Sequence, residues 1–467
     1  MKVFRLTKIL VLATLLPYTW CSGQQSSSLD LERFYRLVSD YHPIANQASL
    51  IALRGSANVQ LARGSFDPKI VSEYNAKDFQ GKNYYDVWQS YVKIPTLLNF
   101  DFKAGYERNS GLYLNPENNV PSDGLYYAGV SVPIGQGLIR NPRTIGLKKS
   151  RFAEKDLQNE ANIVLNNLFL DANHVYWWWY ENYEKNLVVS RNLILIEQKY
   201  EGIREAAING EKAAIDSVEI LIQVQQWTND LKKAELELQN SLLMLQNFIW
   251  NDSLNISGIT PVYDISENNF DLSGYLDWAI NHNPLLKKLS IQSSVLELDR
   301  KLSNEQLKPV VDLNYNLLLS QDNDQEQSQI FSNNYKLGVQ FAFPLFIRKE
   351  RAKLKIVKFK QKETDLKIDQ KSREVINKIH QSYNKVFALQ EMILQQIEIN
   401  ENYEKMLTAE QIKFDNGESS VFLLNSRENK KLKGELKLIE LKAKYGRSIG
   451  ELKWSAGMLY DEIRTLD

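Results

Sequence analysis

The chain has 467 residues, and its 57 Lys+Arg balance 57 Asp+Glu, which argues against a general nucleic-acid binder needing a basic excess to neutralise phosphates. A hydrophobic content of 43% excludes wholesale disorder. The single cysteine, Cys21, excludes an internal disulfide, and four scattered histidines (His42, His174, His282, His380) make zinc chemistry a poor reading.

Lys2, Arg5 and Lys8 precede the apolar run Ile9 to Leu16 and a small-residue stretch from Cys21. That layout predicts a secretory signal peptide over residues 1–23, cut after Gly23. Cys21 admits a second reading as the lipid-modified residue of a lipoprotein. Tyr18 and Trp20 fit badly there, where a Leu-like and a small residue are favoured. Either reading exports the chain. Beyond the leader no apolar run approaches the ~20 residues of a transmembrane helix, so membrane insertion would have to use strands.

The remainder repeats itself. His42-Pro43-Ile44 is answered by Asn283-Pro284-Leu285, Gly129 to Pro133 by Gly338 to Pro344, and Asn209-Gly210-Glu211 by Asn416-Gly417-Glu418. We therefore expect a first repeat over residues 24–250, a linker over 251–272 and a second repeat over 273–467. Each reads helix, strands, helix, helix, and a period this long marks a duplicated domain, not a solenoid.

Residues 29–63 have helical spacing, broken near Gly64 and Pro68. The stretches 98–108, 125–134, 310–320 and 335–343 then alternate with period two, each presenting one apolar face. Residues 66–97 add strand-like material rich in aromatics (Tyr84, Tyr85, Trp88, Tyr91), readable as an interfacial girdle or as an extension outside the bilayer. Residues 143–208 and 348–413 predict two proline-free helices of about 100 Å each at ~1.5 Å per residue. Shorter helices follow over 213–249 and 420–458. Leu231, Leu238 and Leu245 give the first of these a coiled-coil seam. Gly434, Gly446 and Gly450 in the second suggest closely approaching backbones. Four strands cannot close a membrane barrel, for which eight is the usual minimum, so a chain of this pattern must oligomerise.

In this order of parts, in Pro133 and Pro344 at the strand ends, and in the Asn-Gly-Glu turns with Ser-Ser-Val-Phe-Leu-Leu after the second, the sequence resembles the TolC-like outer-membrane efflux and secretion channels. The resemblance spans about Leu29 to Leu459. It implies an α+β membrane protein built as a homotrimer. Each chain would give four strands to a twelve-stranded barrel in the outer membrane, continued by a coiled-coil tunnel in the periplasm. It further implies a periplasmic adaptor and an inner-membrane transporter as partners, with Asn209, Gly210, Glu211, Asn416, Gly417 and Glu418 at the adaptor-facing tip. At the family's constriction this chain has Asp216, Phe414, Ser419, Leu423 and Ser426. Only Asp216 matches the acidic partner of the family's ionic latch, so a resting state closed more by packing and hydrogen bonds is expected, with Lys212 or Lys413 as substitute cations.

No catalytic constellation, phosphate loop or cofactor motif emerges, and the chain reads as a non-enzyme without cofactors. The aromatic run Tyr176 to Tyr180 beside His174 reads as helix packing, because five consecutive positions wrap around a helix. Basic clusters at Arg140 to Arg151 and Arg348 to Lys362 read as a solvated helix face, or as a collar attracting anionic headgroups. The competing function class is a periplasmic structural coiled coil anchored at the envelope.

Overall fold

The computed structural model describes residues 28–251, 256, 258–263, 270–319 and 334–464. The leader with Cys21, parts of the 251–272 linker and the polar loop after Leu319 lie outside the described residues.

The chain opens with β1 (Ser28–Leu29), α1 (Leu31–Tyr41) and α2 (Pro43–Arg63). The break between the helices lies at His42, whose Nδ1 accepts from the Ile44 amide at 3.1 Å while Pro43 takes the first helical position. Strands β2 (Lys69–Phe79), β3 (Lys82–Pro95), β4 (Asp101–Ser110) and β5 (Leu125–Pro133) follow, then α3 (Pro142–Ile208) and α4 (Ala214–Ile249). A two-residue strand, β6 (Thr260–Pro261), pairs with β1 in parallel. The second half holds α5 (Leu272–His282), α6 (Pro284–Glu305), β7 (Val310–Leu319), β8 (Tyr335–Ala342), α7 (Arg348–Asp415), α8 (Val421–Ala456) and α9 (Leu459–Arg464). Asn283 caps α6 through Leu285 at 3.0 Å with Pro284 behind it, the same device as His42-Pro43. The repeat seen in residue order is thus a repeat of structure.

All the long strands join one antiparallel sheet in the order β2-β3-β4-β5-β7-β8. Among the described residues this sheet has six strands: the four expected from the alternating stretches, and the β2–β3 hairpin that the strand-like residues 66–97 contribute beside them. Residues 98–100 are not strand. Asn99 adopts φ 68° in the turn joining β3 to β4 and donates through Nδ2 to the Leu138 carbonyl at 2.8 Å, and Thr96 bonds the Phe100 carbonyl at 2.7 Å through its hydroxyl.

Register carries one face intact across the sheet. Ile70 sits opposite Val92, Val92 opposite Ala104, Ala104 opposite Ala128, Ala128 opposite Leu317, and Leu317 opposite Tyr335. The other face is mostly polar or small: Glu73 opposite Gln89, Gln89 opposite Glu107, Gly129 opposite Asn316, Asn316 opposite Lys336. Side chains alternate across a strand, so a one-residue slip anywhere would exchange these faces.

The main core sits half-way along α3. Phe169, Tyr176, Trp177 and Trp179 are fully buried there against Phe34 and Val38 of α1, Leu245 of α4 and Leu459 of α9. The Tyr176 hydroxyl donates to the carbonyls of Leu29 and Val262 at 3.0 and 2.8 Å, fastening the β1–β6 pair to α3. Asn173 links three helices: its Oδ1 accepts from Tyr35 and Trp177 at 3.2 and 3.1 Å, and its Nδ2 donates to the Arg447 carbonyl at 3.2 Å. A Cβ on Gly446 would fall inside the Trp177 indole, and one on Gly450 would strike the Asn173 amide. Here the helical glycines are the condition for α8 to lie against α3.

Candidate functional site: the paired helical turns

Helices α3 and α7, of 67 and 68 residues, end in the two Asn-Gly-Glu segments, about 100 Å from the sheet end of each helix. Both close in the same way. Glu211 N donates to the Ala206 carbonyl at 2.9 Å and Gly210 N to that of Ala207 at 3.2 Å; Glu418 N donates to that of Lys413 at 2.8 Å and Gly417 N to that of Phe414 at 3.0 Å. These are Schellman turns, with Gly210 at φ 81° and Gly417 at φ 78°. Any side chain there costs roughly 1–2 kcal/mol in left-handed strain. Space is not the constraint, since a Cβ at either glycine would meet nothing within 4 Å.

Tertiary structure brings the turns side by side. The Lys212 ammonium of the first lies over the Phe414 ring of the second, 4.4 Å from its centroid. Beneath them Ile203, Ile220, Trp227 and Val421 form a buried cluster against which Phe414 packs. Of the other residues expected from the sequence at a constriction, Asp216 lies in the first turn of α4, Leu423 is exposed in the first turn of α8, and Ser426 is half-buried one turn further on.

Ser419 donates to Glu410 Oε1 at 2.6 Å, while the Arg427 guanidinium reaches Glu410 Oε2 at 3.3 Å. The Ser419 hydroxyl, with the Arg427 charge, holds the Glu410 carboxyl below the ordinary glutamate range. Lys199 of α3 bonds Asn425 and Glu428 of α8 at 2.8 and 2.9 Å, joining the first hairpin to the second. Sequence reading missed these ionic contacts. Glu410 and Arg427 lie on either side of the Gly417 turn, on the two antiparallel helices that it joins, and such flanking positions can bring opposite charges together. Lys199 carried no comparable signal, because its partner is more than two hundred residues away.

Replacing Gly210 or Gly417 by valine is expected to cost roughly 1–2 kcal/mol, because strain enters only at the turns. Chemical denaturation of each variant beside the parent measures the loss. An unchanged midpoint would mean that the turns relax without their left-handed residue.

Residues 276–452 match the family model described as outer membrane efflux protein. No curated protein matches the chain. Among solved structures it is similar to the CmeC outer membrane channel of Campylobacter jejuni, with 13% identity over 92% of this chain and 86% of that one, at a TM-score of 0.66. It is also similar to the outer membrane protein VceC of Vibrio cholerae, with 12% identity, 91% and 96% coverage and a TM-score of 0.65. The open state of the MtrE outer membrane channel of Neisseria gonorrhoeae is similar over 98% of both chains, with 11% identity and a TM-score of 0.63. Residues 276–452, the part that matches the outer membrane efflux protein model, run from α5 into α8, and the chain from β2 to α8 has the fold of these channels, long helices carrying a curled antiparallel sheet.

Proposed function

We propose that the protein is the outer-membrane channel of a tripartite efflux or type I secretion system, a passive conduit from the periplasm to the outside. One observation carries this reading: a sheet with one continuous apolar face and one largely polar face stands on two helices of 67 and 68 residues. A structural coiled coil has no use for such a sheet. In lipid the apolar face meets acyl chains and the polar face lines water. Strands of 8 to 14 residues suit a bilayer that tilted strands of ~9–11 residues cross. Open edges are not tolerated in hydrocarbon, so the sheet closes with further copies as a homotrimer. The helices then extend into the periplasm, where the Asn209 to Glu211 and Asn416 to Glu418 turns meet an adaptor bound to an inner-membrane transporter.

The resting constriction closes chiefly by packing at Leu423, and the pairs Lys199–Glu428 and Arg427–Glu410 brace its helices. Protein extracted from outer membranes should run as a trimer without heating and conduct in planar bilayers; a soluble monomer would refute the channel. Leu423→Ser should raise conductance, since wetting a greasy ring lowers its barrier, whereas Asp216→Ala should change it little. Wide opening in Asp216→Ala, or strong block by divalent cations, would show that an acidic latch governs closure instead.

A further inference from the structure

Among the described residues, β2 pairs only with β3 and β8 only with β7, leaving edges of eleven and eight residues. The helices at the same two margins are also incompletely covered. Helix α2, which packs on α3, exposes Leu50, Leu53 and Leu61; α7, which packs on α6 and α8, exposes Ile356, Phe359 and Leu366. Each set recurs at helical spacing, the mark of a face built to be buried.

We infer that the occupant of each margin is a second copy of this chain: β2 and α2 of one protomer seat against β8 and α7 of the next, and β2–β3 belongs to the barrel wall. The inference rests on the trimeric channel proposed above and adds where its seam lies and how many strands it encloses. Three copies of a six-stranded sheet make eighteen strands.

Direction permits the seam. Strand β2 leads away from α2 and β8 leads into α7, so the two edges meet antiparallel. Chemistry permits it as well, because Ile70, Trp88 and Val92 of the added hairpin lie on the same face as Phe102, Val130 and Val339. Geometry favours it. The hydrogen-bonded line starting at Lys69, the first residue of β2, reaches Lys336, six residues before the end of β8. At about 3.3 Å per residue and 4.8 Å between strands, that stagger is a tilt of about 40°, within the range of closed barrels. At that tilt six strands span about 38 Å of circumference. The four helices beneath them, α2, α3, α6 and α7, span about 32–40 Å at ordinary interaxial distances. Four strands would cover only about 25 Å. The full sheet is as wide as the helical wall that carries it.

Continuing the stagger across the seam places Gly338 opposite Glu73 or Asn75 of the neighbour, all on the polar face. A Cβ at Gly338 meets nothing within 4 Å, so cysteine is tolerated there. The full-length protein carrying Gly338→Cys with Glu73→Cys or Asn75→Cys, oxidised in outer membranes, is expected to give covalent dimers and trimers on denaturing gels. Gly338→Cys with Lys103→Cys or Glu107→Cys on β4 should give none. Crosslinks through β4 instead of β2, in an intact trimer, would overturn the eighteen-stranded seam and leave the channel reading standing. Trimers with crosslinks through neither strand would also overturn it. A monomer that conducts nothing would overturn both.

Discussion

Arginine at Val339 or Phe102 is expected to cost about 2–4 kcal/mol of folding into lipid vesicles, if the position lies near the midplane. Both residues occupy the apolar face, where a guanidinium has neither water nor a counter-ion. Lys103→Arg and Gln340→Arg, one residue away on the polar face, should change folding by much less. The experiment extends to the added hairpin. Val92 lies opposite Ile70 and Ala104, so Val92→Arg should match Val339→Arg, whereas Gln89→Arg should be mild. Urea titrations of folding into vesicles give the free energies directly. Equal damage on both faces would end the barrel assignment, and a mild Val92→Arg would put β2–β3 beyond the hydrocarbon.

Gly446→Val is expected to have the second large effect. The added isopropyl group, whose Cβ alone would already overlap the ring, must displace the Trp177 indole, which is held by Asn173 and packed at its edge against Tyr180 and Tyr263. Overpacking of this kind costs about 1–3 kcal/mol, and more where neighbours cannot move. Trp177 is fully buried, so the upper end applies. Gly202→Ala gives the contrast. It lies inside α3 with nothing near its Cβ position, and alanine there should add up to about 1 kcal/mol of helix stability. Thermal loss of the helical circular-dichroism signal distinguishes them: the first variant should melt earlier than the parent, the second no earlier. A neutral Gly446→Val would mean that α8 can withdraw from α3 without cost.

Whatever depends on neighbours a few residues apart was readable in residue order. Helices α3, α4, α7 and α8 begin and end within about two residues of their expected bounds, because apolar spacing, the absence of proline, and glycine at the Schellman position act locally. The duplication was visible for the same reason, since His42-Pro43 and Asn283-Pro284 are each a complete helix-start signal. The face of β4, β5, β7 and β8 that turned out continuous was the apolar one in each strand taken alone.

What could not be read was anything that needed a distant partner. Residues 66–97 were readable only as strand-like material without a place; the register reveals that Ser72 and Ser90, which interrupt the apolar face of β2–β3, sit opposite each other between the Tyr74–Trp88 and Ile70–Val92 pairs. The aromatic run from Tyr176 to Tyr180 has no single face, and its role as the core at the middle of α3 depends on α4 folding back along it and on α1, α8 and α9 arriving from the two ends of the chain. Lys199 became a clasp only when α8 was laid beside α3. Local periodicity sets what each segment can become, because its energy comes from residues one turn or one pleat away. Pairing, close approach and ion contacts join segments hundreds of residues apart, so their partners are chosen by the fold as a whole.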